Sequence, residues 1–102
     1  MEYTPELLQK IKTFGALGLS AKRIVLLLGL SIADEKTFMV DFDSPDSPIH
    51  RAYEQGVAIG EYNQDAALMK QAESGDLFAI QELKIRQFNR GIEDDRKERF
   101  GI

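Results

Sequence analysis

Asp41, Asp43 and Asp46 stand close together, and several oxygen ligands from one loop are what a hard divalent cation takes. The segment Asp41-Phe42-Asp43-Ser44-Pro45-Asp46-Ser47-Pro48 lacks the glycine and the downstream bidentate Glu of such a loop, so it reads as a solvated linker and no metal site is expected. His50 is the one histidine, which supplies neither a histidine-based metal site nor a nucleophile–base pair; it reads as a surface or interface side chain. The absence of cysteine removes disulfides, zinc–thiolate clusters and thiol catalysis together. The remaining Asp and Glu are scattered over helical stretches, with nothing to pair two of them in an apolar pocket where one pKa would rise. No strand leads into a glycine-rich phosphate loop. A non-enzymatic protein without a cofactor is expected.

What remains is recognition by charge and shape. The formal net charge of −4 opposes strong nonspecific attraction to nucleic acid, whose affinity comes mainly from Lys and Arg neutralising phosphates. A DNA role must rest on local charge. The stretch Gly18-Leu19-Ser20-Ala21-Lys22-Arg23-Ile24-Val25-Leu26-Leu27-Leu28-Gly29-Leu30-Ser31 places Lys22 and Arg23, exposed, in the first turn of a second helix. Ser20 caps a short helix, the apolar run 24–28 supplies its buried face, Gly29 ends it in the left-handed conformation, and Ser31 caps the next helix. Two short helices around a glycine turn are the signature of a helix-turn-helix. Val25 departs from it, standing where a small residue is usual, and so does Glu35, where an apolar contact is usual; a plain helical pair is the alternative.

The flanking elements follow from similar signals. Thr4-Pro5 starts a first helix whose Leu7, Leu8, Ile11 and Phe14 face inward, with Gly15 and Gly18 bracketing its end. The third helix runs from Ser31 to about Phe42, with Ile32, Phe38 or Met39, and Phe42 inward. Its Asp34, Glu35, Asp41 and Asp43 outnumber Lys36, so by charge it reads as structural or partner-facing. Ser47-Pro48 starts a long helix with no stop before Ser74-Gly75, roughly 39 Å at 1.5 Å per residue. One stripe along it holds Ile49, Ala52, Tyr53, Gly56, Ile59, Gly60, Asn63, Ala66 and Ala67. Two mid-helix glycines each cost about 1 kcal/mol against Ala, so Ala52, Gly56 and Gly60 predict a close approach to another helix. A last helix spans about Leu77 to Asn89, antiparallel to the long one, with Leu77, Ile80, Leu83, Lys84 and Phe88 along its apolar side. The expected fold is all-α: a helix-turn-helix domain (1–43), a linker (44–48), a helical hairpin for oligomerisation (49–90) and a charged tail (91–102).

The 102 residues, 43 % hydrophobic and 29 % charged, suit one ordinary globular domain with a protruding arm. No apolar run approaches the roughly 20 residues that span a bilayer, and Met1-Glu2-Tyr3-Thr4-Pro5 has no signal-peptide character, so no membrane partner and a cytoplasmic setting are expected.

Taken in order, these parts resemble the small terminase subunits of tailed bacteriophages over about residues 5 to 90. The resemblance lies in the A-x-x-G start of the long helix, Ala52 to Gly56 with one extra residue, and in the A-x-x-G-D-x-x-A-I turn from Ala72 to Ile80. Proteins of that family are non-enzymatic DNA-packaging components. Their N-terminal helix-turn-helix domains recognise viral double-stranded DNA, a helical hairpin joins them into a ring, and they pass the DNA to the large terminase subunit. The resemblance implies that Lys22, Arg23, Ser31, Lys36 and Thr37 face DNA, that Ala52, Gly56, Ile59 and Gly60 make ring contacts, and that Arg96, Lys97, Arg99, Phe100 and Ile102 address the large subunit. It also implies a homo-oligomer working in the cytoplasm of a bacterial host. Two other readings fit the same residues: a small dimeric helix-turn-helix transcriptional regulator, and a protein-binding module derived from a helix-turn-helix.

Overall fold

A computed structural model describes residues 2–100, the side chains of Arg99 and Phe100 excepted. Among these residues there are five helices and no strand: α1 (Pro5–Ala16), α2 (Ala21–Leu28), α3 (Ile32–Asp43), α4 (Pro48–Glu73) and α5 (Leu77–Phe100). The all-α expectation holds. Each helix starts on a side-chain cap three residues ahead of the amide it satisfies. Thr4, Ser20 and Ser31 accept from Leu7, Arg23 and Asp34 at 3.2, 3.3 and 3.2 Å. Ser47 accepts from His50 at 3.0 Å and Asp76 from Ala79 at 3.2 Å. Such a cap is worth about 1 kcal/mol to a helix.

The chain divides into two compact units, Met1–Tyr62 and Asn63–Ile102. The division falls inside α4, not at the predicted linker. Residues 44–47 are solvated but tied at both ends. The Ser44 amide donates to the Asp41 carbonyl at 3.1 Å, and the Ser47 hydroxyl donates to that same carbonyl. His50 Nδ1–H donates to the Phe42 carbonyl at 2.8 Å, which joins the end of α3 to the start of α4. His50, expected as a surface or interface side chain, is half-buried and clamps these two helix ends together.

In the first unit, each of α1 to α4 sends one large side chain fully into the core: Ile11, Ile24, Phe38 and Ile49. Val25 and Ala52 complete the buried cluster. Tyr53 stacks edge-on to Phe42 with ring centroids 4.8 Å apart, and its hydroxyl donates to the Leu19 carbonyl at 2.7 Å. That bond holds the α1–α2 connection against α4.

The small-residue stripe of α4 meets α1 of the same chain. A Cβ on Gly56 would lie 2.8 Å from the Lys12 carbonyl carbon, and one on Gly60 would lie 2.5 Å from the Ala16 carbonyl oxygen. Both contacts advance by four residues along each helix, so α1 and α4 run parallel. Gly15 belongs to the same seam, because its Cβ would overlap the Tyr53 carbonyl, and α1 continues past it to Ala16. The expected close approach is present, but its partner is corrected. Ala52, Gly56 and Gly60 are covered within the chain and are not free for ring contacts, while Ile59 remains exposed. Only glycine lets two helix backbones touch this closely, and α1 is the helix that the chain brings there.

In the second unit, the chain turns at Gly75, whose φ of 92° needs a glycine, and α5 folds back on the end of α4. Arg86 Nε donates to Asp65 at 2.9 Å, a terminal nitrogen of Arg86 reaches Gln64 at 2.6 Å, and Arg90 reaches the second Asp65 oxygen at 2.6 Å. Ala79 is buried, and Ile80 and Leu83 are half-buried. Leu77 and Phe88, expected inward, are exposed, since α5 turns its Ala79–Leu83–Arg86–Arg90 line inward instead. Asn63, Ala66 and Ala67 are exposed too. The helix also passes Gly91, whose surroundings are open, and runs on to Phe100. The segment after it has good helix formers, no proline and Glu93 four residues before Lys97, which sustains a helix past one glycine.

Arg86, with Arg90 beside it, holds the Asp65 carboxyl below its ordinary pKa, against partial burial that pushes the other way. A carboxylate with a depressed folded pKa stabilises the fold above its unfolded value of about 4, and that stability fades as pH falls through the folded value. Asp65→Asn is expected to cost about 1 kcal/mol near neutrality, a modest figure because the arginines stay partly in water. Urea unfolding followed by helical circular dichroism should show variant and parent converging as pH falls below the ordinary carboxylate range and the Asp65 carboxylate takes up its proton. An equal gap at every pH would show that the carboxylate charge is not what matters.

Candidate nucleic-acid interface

The α2 and α3 helices pack on each other through Ile24, Val25 and Phe38 and meet at Gly29, which has a φ of 62°. A left-handed residue there closes α2, and the Ser31 cap opens α3 two residues later. Lys22, Arg23, Ser31, Lys36 and Thr37 are all exposed on this pair. Lys22, Arg23 and Lys36 make no ion pair among the described residues. Val25 is buried in the shared core, and Glu35 faces solvent, so neither departure from the motif leaves a charge or a gap inside.

Placement corrects which residues accompany the cations. Of the run 24–28 only Ile24 and Val25 are buried; Leu26 and Leu27 are 76 % and 61 % exposed. They lie one turn beyond Lys22 and Arg23 on the same side of α2. On α3, Ile32 is 77 % exposed, against the expectation that it faces inward, and it lines up with Lys36 and Val40 at four-residue steps. Phe38 alone is fully buried there, and Phe42 packs against it at 5.9 Å. The reason is geometric: one short helix can turn only about one face to a core this small, and five consecutive apolar residues exceed one face.

The hydroxyls are partly committed to their own helices. Ser31 accepts from the Asp34 amide, and Thr37 donates to the Ala33 carbonyl at 3.3 Å. Thr37 thus has its proton engaged, which leaves Lys22, Arg23 and Lys36 as the donors that suit phosphate. Asp43 and Glu35 share the exposed surface of α3 and favour a base edge or a cationic partner over phosphate.

Arg96 and Lys97 are exposed near the end of α5; the side chains of Arg99 and Phe100, and Ile102 altogether, lie outside the described residues. Among the described residues no three His, Cys, Asp or Glu side chains come together as metal ligands, and no helix is long and apolar enough to cross a membrane. Sequence reasoning missed the bonds of His50 and Tyr53 to backbone carbonyls. Their partners are eight and 34 residues away, beyond the reach of any local pattern.

Comparison with protein-family models, with curated proteins and with solved structures found no match to this chain. Function is therefore read from the residues and where the fold puts them.

Proposed function

We propose that this chain is a non-enzymatic DNA-packaging adaptor of the small-terminase kind, in which α2 and α3 form a helix-turn-helix that contacts double-stranded DNA. The observation that carries this reading is the Ser20-capped α2, the left-handed Gly29 and the Ser31-capped α3, with Lys22, Arg23 and Lys36 exposed around them and without an ion-pair partner among the described residues. In this reading the end of α4 and α5 form the helical hairpin. A homo-oligomer would use Ile59 and the apolar side chains that α5 leaves exposed, Phe78, Ile85 and Phe88, because Gly56 and Gly60 are occupied by α1. A ring would gather several weak cationic patches and bind DNA far better than one copy does.

The test is fluorescence anisotropy with a labelled duplex across a salt series. Parent protein should bind at low salt with a steep salt dependence, and the double variant Lys22→Glu/Arg23→Glu should lower that slope by about two phosphate contacts and abolish binding near physiological salt. Unchanged binding would remove both residues from the interface. Light scattering on the same samples should give a mass well above that of a dimer.

A second reading is a protein-binding module on the same surface. It is favoured by Leu26, Leu27 and Ile32, which give this face an apolar component that phosphate does not need. That module predicts no DNA binding even at low salt.

A further inference from the structure

An open cleft lies between α1 and α4 in the first unit, and none of the residues assigned to DNA lines it. Pro5, Leu8, Gln9 and Lys12 line it from α1, and Pro48, Arg51, Ala52 and Gln55 from α4. Three properties set it apart. Among the described residues its polar lining is two cations and two amides, with no carboxylate, in a chain whose acids outnumber its bases. Neither Lys12 nor Arg51 has a hydrogen-bonding or ion-pairing side-chain partner among the described residues. Its width is set by backbone contact, because the carbonyl of Lys12 itself rests on Gly56.

A guanidinium fork, an ammonium and two amide groups on rigid helices match an oxyanion with several acceptor oxygens. We propose that this cleft binds a phosphate group. The group can belong to a free phosphate compound or to a nucleic-acid backbone, since both present the same oxygens. The inference does not depend on the α2–α3 reading and uses none of its residues.

The test is titration of the isotope-labelled full chain with inorganic phosphate, followed by amide NMR, with acetate at matched ionic strength as control. Saturable shifts confined to residues 5–12 and 48–55 are expected with phosphate and not with acetate. Lys12→Gln/Arg51→Gln should weaken the response about tenfold or more while thermal melting is unchanged, since only side-chain heads are altered. Non-saturable shifts, an equal response to acetate, or a double variant that still responds would overturn the proposal. A short duplex added to the parent then separates the two sources. Duplex shifts at the same amides, reversed by phosphate, identify a nucleic-acid backbone; phosphate shifts untouched by duplex identify a free phosphate compound.

Discussion

Gly56→Ala is expected to destabilise the first unit by about 2 kcal/mol or more, although alanine is the better helix former. In an isolated helix this exchange would gain about 1 kcal/mol. Here the new methyl would enter the space of the Lys12 carbonyl, a backbone group that cannot rotate away as a side chain could. Relief requires α1 and α4 to separate, and separation loosens Ile11 and Ile49, which are fully buried between them and the rest of the core. For a unit of this size the melting temperature should fall by roughly 10 °C or more. Gly91→Ala is the matched control. Gly91 is also inside a helix but has open space around it, so the same exchange there should be neutral or stabilising by up to about 1 kcal/mol. Thermal melts of the two variants side by side separate a packing glycine from an incidental one, and equal shifts would refute the seam.

Phe38→Ala should be the most damaging truncation in α3, costing about 3–5 kcal/mol. Phe38 is the one fully buried side chain of that helix, and it supports Phe42, which in turn packs on Tyr53 of α4. Removing its ring leaves a cavity in the buried cluster at the one point where α3 is fully anchored in it. Because the first unit has a small core, a loss of this size approaches its whole stability. Ile32→Ala, six positions earlier on the same helix, should change stability by less than about 0.5 kcal/mol, since Ile32 already stands in water. Urea unfolding followed by circular dichroism measures both. A comparable loss from the two variants would mean that α3 turns a different face to the core.

The same contrast shows why some features were legible in advance. Thr4, Ser20, Ser31, Ser47 and Asp76 cap their helices across three residues, so their partners lie inside the window that a sequence exposes. Gly29 and Gly75 punctuate helices by a backbone angle that belongs to the residue itself. The faces of α2 and α3 were less legible: Leu26, Leu27 and Ile32 have the chemistry of core residues, and nothing local marks them as surplus to a core already filled by Ile11, Ile24, Phe38 and Ile49. The exposed cations Lys22, Arg23 and Lys36 were predictable because charged side chains resist burial.

By itself, then, the sequence determined that this protein is helical, where most of its helices begin, and that Gly56 and Gly60 need a second backbone close by. These follow from short-range hydrogen bonding, φ preferences and side-chain size, all carried by a few neighbouring residues. Only the tertiary structure decided that the second backbone is α1 of the same chain, that His50 and Tyr53 clasp distant carbonyls, and that Lys12 and Arg51 line one cleft. Those outcomes depend on which of several adequate apolar faces fill a limited core, a competition settled across the whole chain through long-range packing.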